Sequence, residues 1–103
     1  MELKRVVVTG LGAVTPVGNT PDETWSNLLA GKSGAGKITH FDPTNFKTQF
    51  ACEVKNLNTN DYIDRKEARK IDLYAQFALI AAQQAIEDCA ADLETIDKNR
   101  VGV

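Results

Sequence analysis

Residues 4–9 carry three successive valines and stop at Gly10. A β-branched run closed by glycine predicts a short strand buried on both faces, as in α/β sheets. Gly10, Gly12, Pro16 and Gly18 then mark a winding connection. Thr20-Pro21-Asp22-Glu23 predicts a helix start, with Thr20 as cap, Pro21 at the first helical position and Glu23 completing a capping box. Trp25, Leu28 and Leu29 fall on one side at i, i+3 and i+4, and Gly31 supplies the stop.

Residues 32–48 read as loop, broken by Gly34, Gly36, Asp42-Pro43 and Asn45. Phe50, Cys52 and Val54 then alternate with Ala51, Glu53 and Lys55, which predicts a half-buried strand with the first set inward. Residues 56–60 read as turn. Asp64-Arg65-Lys66-Glu67 repeats the capping-box pattern, and no Gly or Pro interrupts the chain from there to Asp88. Ala68, Ile71, Ala75, Ala78, Leu79, Ala82, Ala85, Ile86 and Cys89 form one stripe at helical spacing, so a single long helix is expected. Its alanine-rich face suits the close approach of a neighbouring backbone, as in the core of a larger protein. Arg100-Val101-Gly102-Val103 opens what reads as a further strand.

Composition narrows the class. The 103 residues are 43% hydrophobic and 25% charged, the balance of an ordinary globular protein. That length allows one small domain, yet two strands and two helices make a thin core, so the chain reads as part of something longer. A net charge of −2 gives no overall reason to expect nucleic acid or an anionic membrane as partner. No apolar run reaches membrane-spanning length and no secretory leader pattern opens the chain, so a cytoplasmic setting is expected. Cys52 and Cys89 lack a CxxC spacing and read as reduced thiols.

Several motifs invite chemical readings that their context refuses. Gly31-Lys32-Ser33-Gly34-Ala35-Gly36-Lys37 matches the first seven positions of a phosphate-binding loop, but Ile38 stands where a magnesium-binding Ser or Thr belongs. A helix precedes it, and Asp42-Pro43 soon follows, whereas a working loop runs from strand to helix. Gly10-Leu11-Gly12 begins a dinucleotide fingerprint whose third glycine would fall at Thr15, so the expected role is a tight turn with close packing. Cys52 and Cys89 both lie in apolar patterns, and His40 is the sole histidine available to activate a thiol. One histidine and two distant cysteines do not make a tetrahedral zinc site.

The start of the predicted long helix is different. Arg65, Lys66, Arg69 and Lys70 put four of the 12 basic residues within six positions, where the positive end of the helix dipole disfavours cations. At about 100° per residue, Lys66, Arg69 and Lys70 share roughly 100° of arc opposite the apolar stripe, with Arg65 at its flank. Such a patch suits an acidic partner or a phosphate. It also fits a plain solvated helix face.

Taken in order, Arg5-Val6-Val7-Val8-Thr9-Gly10-Leu11-Gly12, Thr15-Pro16-Val17-Gly18-Asn19, Trp25 with Leu28-Leu29-Ala30-Gly31, Ser33-Gly34, His40-Phe41-Asp42 and Arg65-Lys66-Glu67-Ala68-Arg69-Lys70 resemble the β-ketoacyl-acyl carrier protein synthase family, in particular its elongating synthase II type. The likeness runs over residues 4–103. It implies an α/β thiolase-like fold, layered αβαβα and usually homodimeric. Residues 1–103 would be the amino-terminal segment of its first half, incomplete as a domain.

The resemblance implies a decarboxylating Claisen condensation in fatty acid biosynthesis. A cysteine thiolate takes the acyl chain from acyl carrier protein, and two histidines assist loss of CO2 from malonyl-acyl carrier protein. Those three residues lie downstream of the matched stretch in the family, so no catalytic residue is expected in this chain. No bound cofactor is expected either, since 4'-phosphopantetheine travels on the carrier protein. One role does carry over: Lys66, Arg69 and Lys70 occupy positions that dock the carrier protein in the family. The alternatives are a non-catalytic ketosynthase-like partner subunit of a polyketide synthase, or a small stand-alone interaction protein.

Overall fold

The computed structural model describes all 103 residues. Helix α1 (Pro21–Leu29) forms where its capping signals place it. The Thr20 hydroxyl accepts the Glu23 N–H at 3.2 Å, and Pro21 opens the first turn. The Glu23 carboxylate reaches back one residue further than expected, to the N–H of Asn19 at 3.2 Å. At the other end Gly31 takes φ +69, the left-handed region that glycine enters without steric cost. Gly31 N–H then donates to Leu28 O and Lys32 N–H to Asn27 O, both at 3.0 Å, closing the helix in a Schellman motif.

Strand β1 (Gly36–Lys37) pairs antiparallel with β2 (Phe50–Ala51), Gly36 opposite Ala51 and Lys37 opposite Phe50. The loop between them turns on buried Pro43, with Phe41 and Phe46 edge to face at 5.5 Å between centroids. The inward phase is opposite to the expected one at residues 50–53, whereas Val54 is half-buried as expected. Ala51 and Glu53 are half-buried, while Phe50 and Cys52 lie exposed. A two-residue ladder leaves the pleat direction to whatever packs on it, and here that is the Glu53 carboxylate turning in beneath residues 39 and 40.

The expected long helix is two helices. Helix α2 (Arg65–Ala68) is a single turn, and α3 (Leu73–Cys89) starts afresh after a break at residues 69–72. Within α3 itself the expected stripe is only partly covered: Ala75, Ala85 and Cys89 are half-buried. Ile80, outside that stripe, is 0% exposed, whereas Ala78, Leu79, Ala82 and Ile86 face outward. Helix α3 is apolar around most of its girth, and only one side is covered within this chain.

The covering strip is the winding connection after the valine run. A Cβ at Gly12 would run into the Ala81 carbonyl oxygen, and one at Gly10 into that of Ala85, so glycine is what lets this backbone lie on the helix. Side chains of α3 complete the contact. Leu11 N–H donates to Asp88 Oδ2 and Ala13 N–H to Gln84 Oε1, each at 2.9 Å, and Gln84 Nε2 donates to Asn19 O at 2.6 Å.

The valine run itself pairs with no strand, and residues 101–103, which begin with an extended Val101, are equally unpaired. A strand needs a neighbour for its backbone groups, and these 103 residues supply none. Val6 is 90% and Trp25 63% exposed, and only four of 103 residues are buried. The radius of gyration is 17.6 Å, against about 13 Å for a compact domain of this length. The accessible surface is 8700 Å², against roughly 5,700 Å² for a compact monomer of this mass. Helices and a small sheet are thus present, but the expected layers are not assembled by this chain alone.

Candidate functional site

Lys66 lies on α2, Arg69 caps it, and Lys70 follows in the turn; all three are exposed. The arc that groups them on one continuous helix crosses the break, so a different geometry keeps them together. Helical hydrogen bonding persists through the turn: Ala68 N–H to Asp64 O at 2.9 Å, Arg69 N–H to Arg65 O at 3.3 Å and Lys70 N–H to Glu67 O at 3.0 Å. Residues 65–70 therefore form one short basic coil.

Two local expectations fail here. Asp64 stands at the cap position of α2 without a side-chain capping bond. Glu67 closes no capping box and instead meets the Lys70 ammonium at 2.8 Å. That pair is exposed on both sides, so it is worth little in stability but partly neutralises Lys70. No such ion pair engages Lys66 or Arg69.

The carboxyl end of the coil is tied to the next helix. Gln76, half-buried on the first turn of α3, donates from Nε2 to Ala68 O at 3.0 Å and to Ile71 O at 3.3 Å. Its backbone N–H donates to Asp72 O at 3.1 Å. Sequence reasoning did not single out Gln76. A polar residue inside an apolar helical face was the available signal.

The other chemical candidates resolve into structure. In the glycine-rich stretch, Gly31 ends α1 and Gly36-Lys37 is β1, so no helix follows a phosphate cradle. Lys55 Nζ instead ties this stretch to its neighbours, donating to Gly34 O at 2.6 Å, Glu53 O at 2.8 Å and Pro16 O at 3.2 Å. Gly10-Leu11-Gly12 packs closely on α3 as expected, but it forms no tight turn.

Cys52 is exposed, contrary to its apolar pattern, and half-buried Cys89 points its thiol at Ile86 O, 3.0 Å away. His40 Nε2 lies 3.7 Å from Glu53 Oε1 and makes no bond to either sulfur. The Glu53 carboxylate is held below the usual range by the Thr39 N–H at 3.0 Å, then by the Thr39 hydroxyl at 2.8 Å, with His40 adding a smaller effect. Asp42 is lowered likewise by the Thr44 hydroxyl and N–H. No three His, Cys, Asp or Glu side chains converge as a metal site would need, and no helix is long and apolar enough to cross a membrane.

Comparison with known proteins accounts for the whole chain. Residues 3–103 match the family described as Beta-ketoacyl synthase, N-terminal domain. The chain is 47% identical over 103 residues to 3-oxoacyl-[acyl-carrier-protein] synthase 2 of Vibrio cholerae, covering 100% of this chain and 25% of that protein. Identity to the protein of the same name from Synechocystis is 44%, with the same two coverages. For the Staphylococcus aureus relative it is 44% over 100 residues, covering 97% of this chain and 24% of that one. Among solved structures, the ishigamide ketosynthase/chain length factor superposes with a TM-score of 0.77 at 32% identity, over 85% of this chain and 22% of that one. The chain thus spans about a quarter of the length of the relatives it matches. It belongs to the β-ketoacyl synthase family, whose amino-terminal domain it matches from residue 3 to residue 103.

Proposed function

We propose that these residues are the amino-terminal quarter of a 3-oxoacyl-[acyl-carrier-protein] synthase of type 2, and that the 65–70 coil docks the carrier protein. The complete enzyme lengthens acyl chains in fatty acid biosynthesis. An acyl group moves from the carrier protein to a cysteine thiolate. Malonyl-acyl carrier protein then loses CO2, and the resulting carbanion attacks the acyl thioester, expelling the thiolate. The cysteine and the two assisting histidines belong to the remainder of the polypeptide, and Cys52, Cys89 and His40 take no part. The chain needs no cofactor of its own, because the 4'-phosphopantetheine arm arrives on the carrier protein.

The observation that carries the docking role is a solvent-facing coil with four cations, Arg65, Lys66, Arg69 and Lys70, of which only Lys70 is paired. An acidic protein surface complements it through charge-assisted, salt-sensitive contacts. The unpaired valines of residues 6–8 and 101–103 support a layered αβαβα thiolase-like fold, in which both runs find strand neighbours in the rest of the chain. The same exposed apolar faces argue against a small stand-alone interaction protein. A homodimer in the cytoplasm, free of nucleic acid and membrane, completes the reading. Identities of 44–47% to the synthases, against 32% to the ketosynthase/chain length factor, favour it over a non-catalytic polyketide subunit.

The test is the triple charge reversal K66E/R69E/K70E in the complete synthase. The KM for acyl-acyl carrier protein should rise on the order of tenfold. Turnover of the same acyl group on a small carrier-free thioester should stay unchanged. An unaltered KM for the carrier-borne substrate refutes the docking role.

A further inference from the structure

A docking patch built on a single helical turn raises the question of what holds it still. One turn of helix is not stable by itself, since its few hydrogen bonds do not offset the cost of ordering it. Helix α2 has four residues and lacks the side-chain cap that its sequence promised. At its carboxyl end the break at 69–72 deprives its carbonyls of the next helical N–H donors. Ile71 N–H reaches Ala68 O only at 3.5 Å, at the outer edge of a hydrogen bond.

Gln76 supplies what is missing. Its Nε2 carries two protons and meets two acceptors, Ala68 O at 3.0 Å and Ile71 O at 3.3 Å. Those carbonyls flank the stretch that bears Arg69 and Lys70. Its backbone N–H takes the Asp72 carbonyl, so one residue grips the connecting segment at three points. Gln76 is also well anchored. It belongs to the 17-residue helix α3, which is fixed by buried Ile80 and by the Gln84 and Asp88 bonds to residues 11–19.

We propose that Gln76 is a positioning residue for carrier-protein docking, holding Arg69 and Lys70 in register with α3 so that a partner meets a preformed cationic surface. The inference rests on the docking role proposed above and adds to it. Gln76 touches neither partner nor substrate. It acts by lowering the ordering cost of the coil, and that cost enters carrier-protein affinity.

The experiment is Q76M in the complete synthase, since methionine matches the length of glutamine and donates no hydrogen bond. The KM for acyl-acyl carrier protein should rise roughly two- to tenfold, with kcat unchanged and carrier-free thioester kinetics unchanged. In a K66A/R69A/K70A background, the same substitution should add no further rise, because Arg69 and Lys70, the cations it positions, are gone. If Q76M lacks carrier-free activity through misfolding, Q76N carries the test, keeping the amide but shortening its reach. An unchanged KM in the single variant, with K66E/R69E/K70E still raising it, overturns the role of Gln76 and leaves docking intact. An unchanged KM in both overturns docking itself. An equal rise for carrier-borne and carrier-free substrates, or full additivity with the triple alanine variant, also overturns the positioning role, because it marks a general structural effect.

Discussion

Ala13 and Gln84 stand 71 positions apart in sequence, yet the Ala13 N–H donates to Gln84 Oε1 at 2.9 Å, and the same amide donates onward to Asn19 O at 2.6 Å. Gln84 therefore satisfies two backbone groups of a segment that has no strand partner there. Replacing it with Leu keeps the bulk and orphans both groups in a part-buried setting. The expected loss is about 1–3 kcal/mol. It should be local, so hydrogen exchange by mass spectrometry on the complete protein should show faster exchange over residues 11–19. Unchanged protection there would mean that the two bonds contribute nothing measurable.

Gly12 and Gly36 make a matched pair for testing the seat of the winding connection. A Cβ at Gly12 meets the Ala81 carbonyl oxygen, which belongs to helix backbone and cannot swing aside, whereas a Cβ at Gly36 meets nothing within 4 Å. Gly12→Ala should therefore cost about 1–3 kcal/mol through forced separation of segment and helix. Gly36→Ala should stay within about 0.5 kcal/mol. Thermal midpoints of the two variants, measured side by side, decide the matter, and equal midpoints would contradict the packing described.

Glu53 gives a pH dependence of definite sign. Its side chain is 13% exposed, and its carboxyl is held below the usual range chiefly by Thr39. A folded-state value below the unfolded one means that the charged form is bound more tightly in the native protein. Its stabilisation is then complete above the ordinary glutamate value, about 4.3. It drains away as pH falls from there through the depressed folded value. E53Q should be the less stable protein at neutral pH, and its deficit should shrink as the medium is acidified below about pH 4. A deficit that stays constant across thermal scans at both ends of that range would remove the carboxylate from the account.

Helix α1 was legible from residues 20–31 alone, because a cap, a first-turn proline and a closing glycine act within one or two turns and need no distant partner. For Gly10-Leu11-Gly12 the close packing was legible, but the expected tight turn does not form. The basic trio Lys66, Arg69 and Lys70 was legible too, as a concentration of charge, and it remained on the surface.

Other features depended on groups far away in sequence. Nothing local breaks the chain at residues 69–72, where neither Gly nor Pro occurs, so the pattern ran through as one helix. The break is accommodated by Gln76, and within α3 it is Ile80, not Leu79, that is buried. The inward phase of residues 50–53 was likewise set by Glu53 capping residues 39 and 40 from across a loop.

By itself the sequence determined the family, the cap and stop of α1, and the basic coil, since each is written in adjacent residues. Only the tertiary structure decided where the second helix breaks, which face of α3 is covered, and that the valine run stays unpaired within these 103 residues. The physical reason is the same in all three cases. A helix end finds its hydrogen-bond partners close at hand, whereas a helix face or a strand edge takes its partner from wherever the fold provides one.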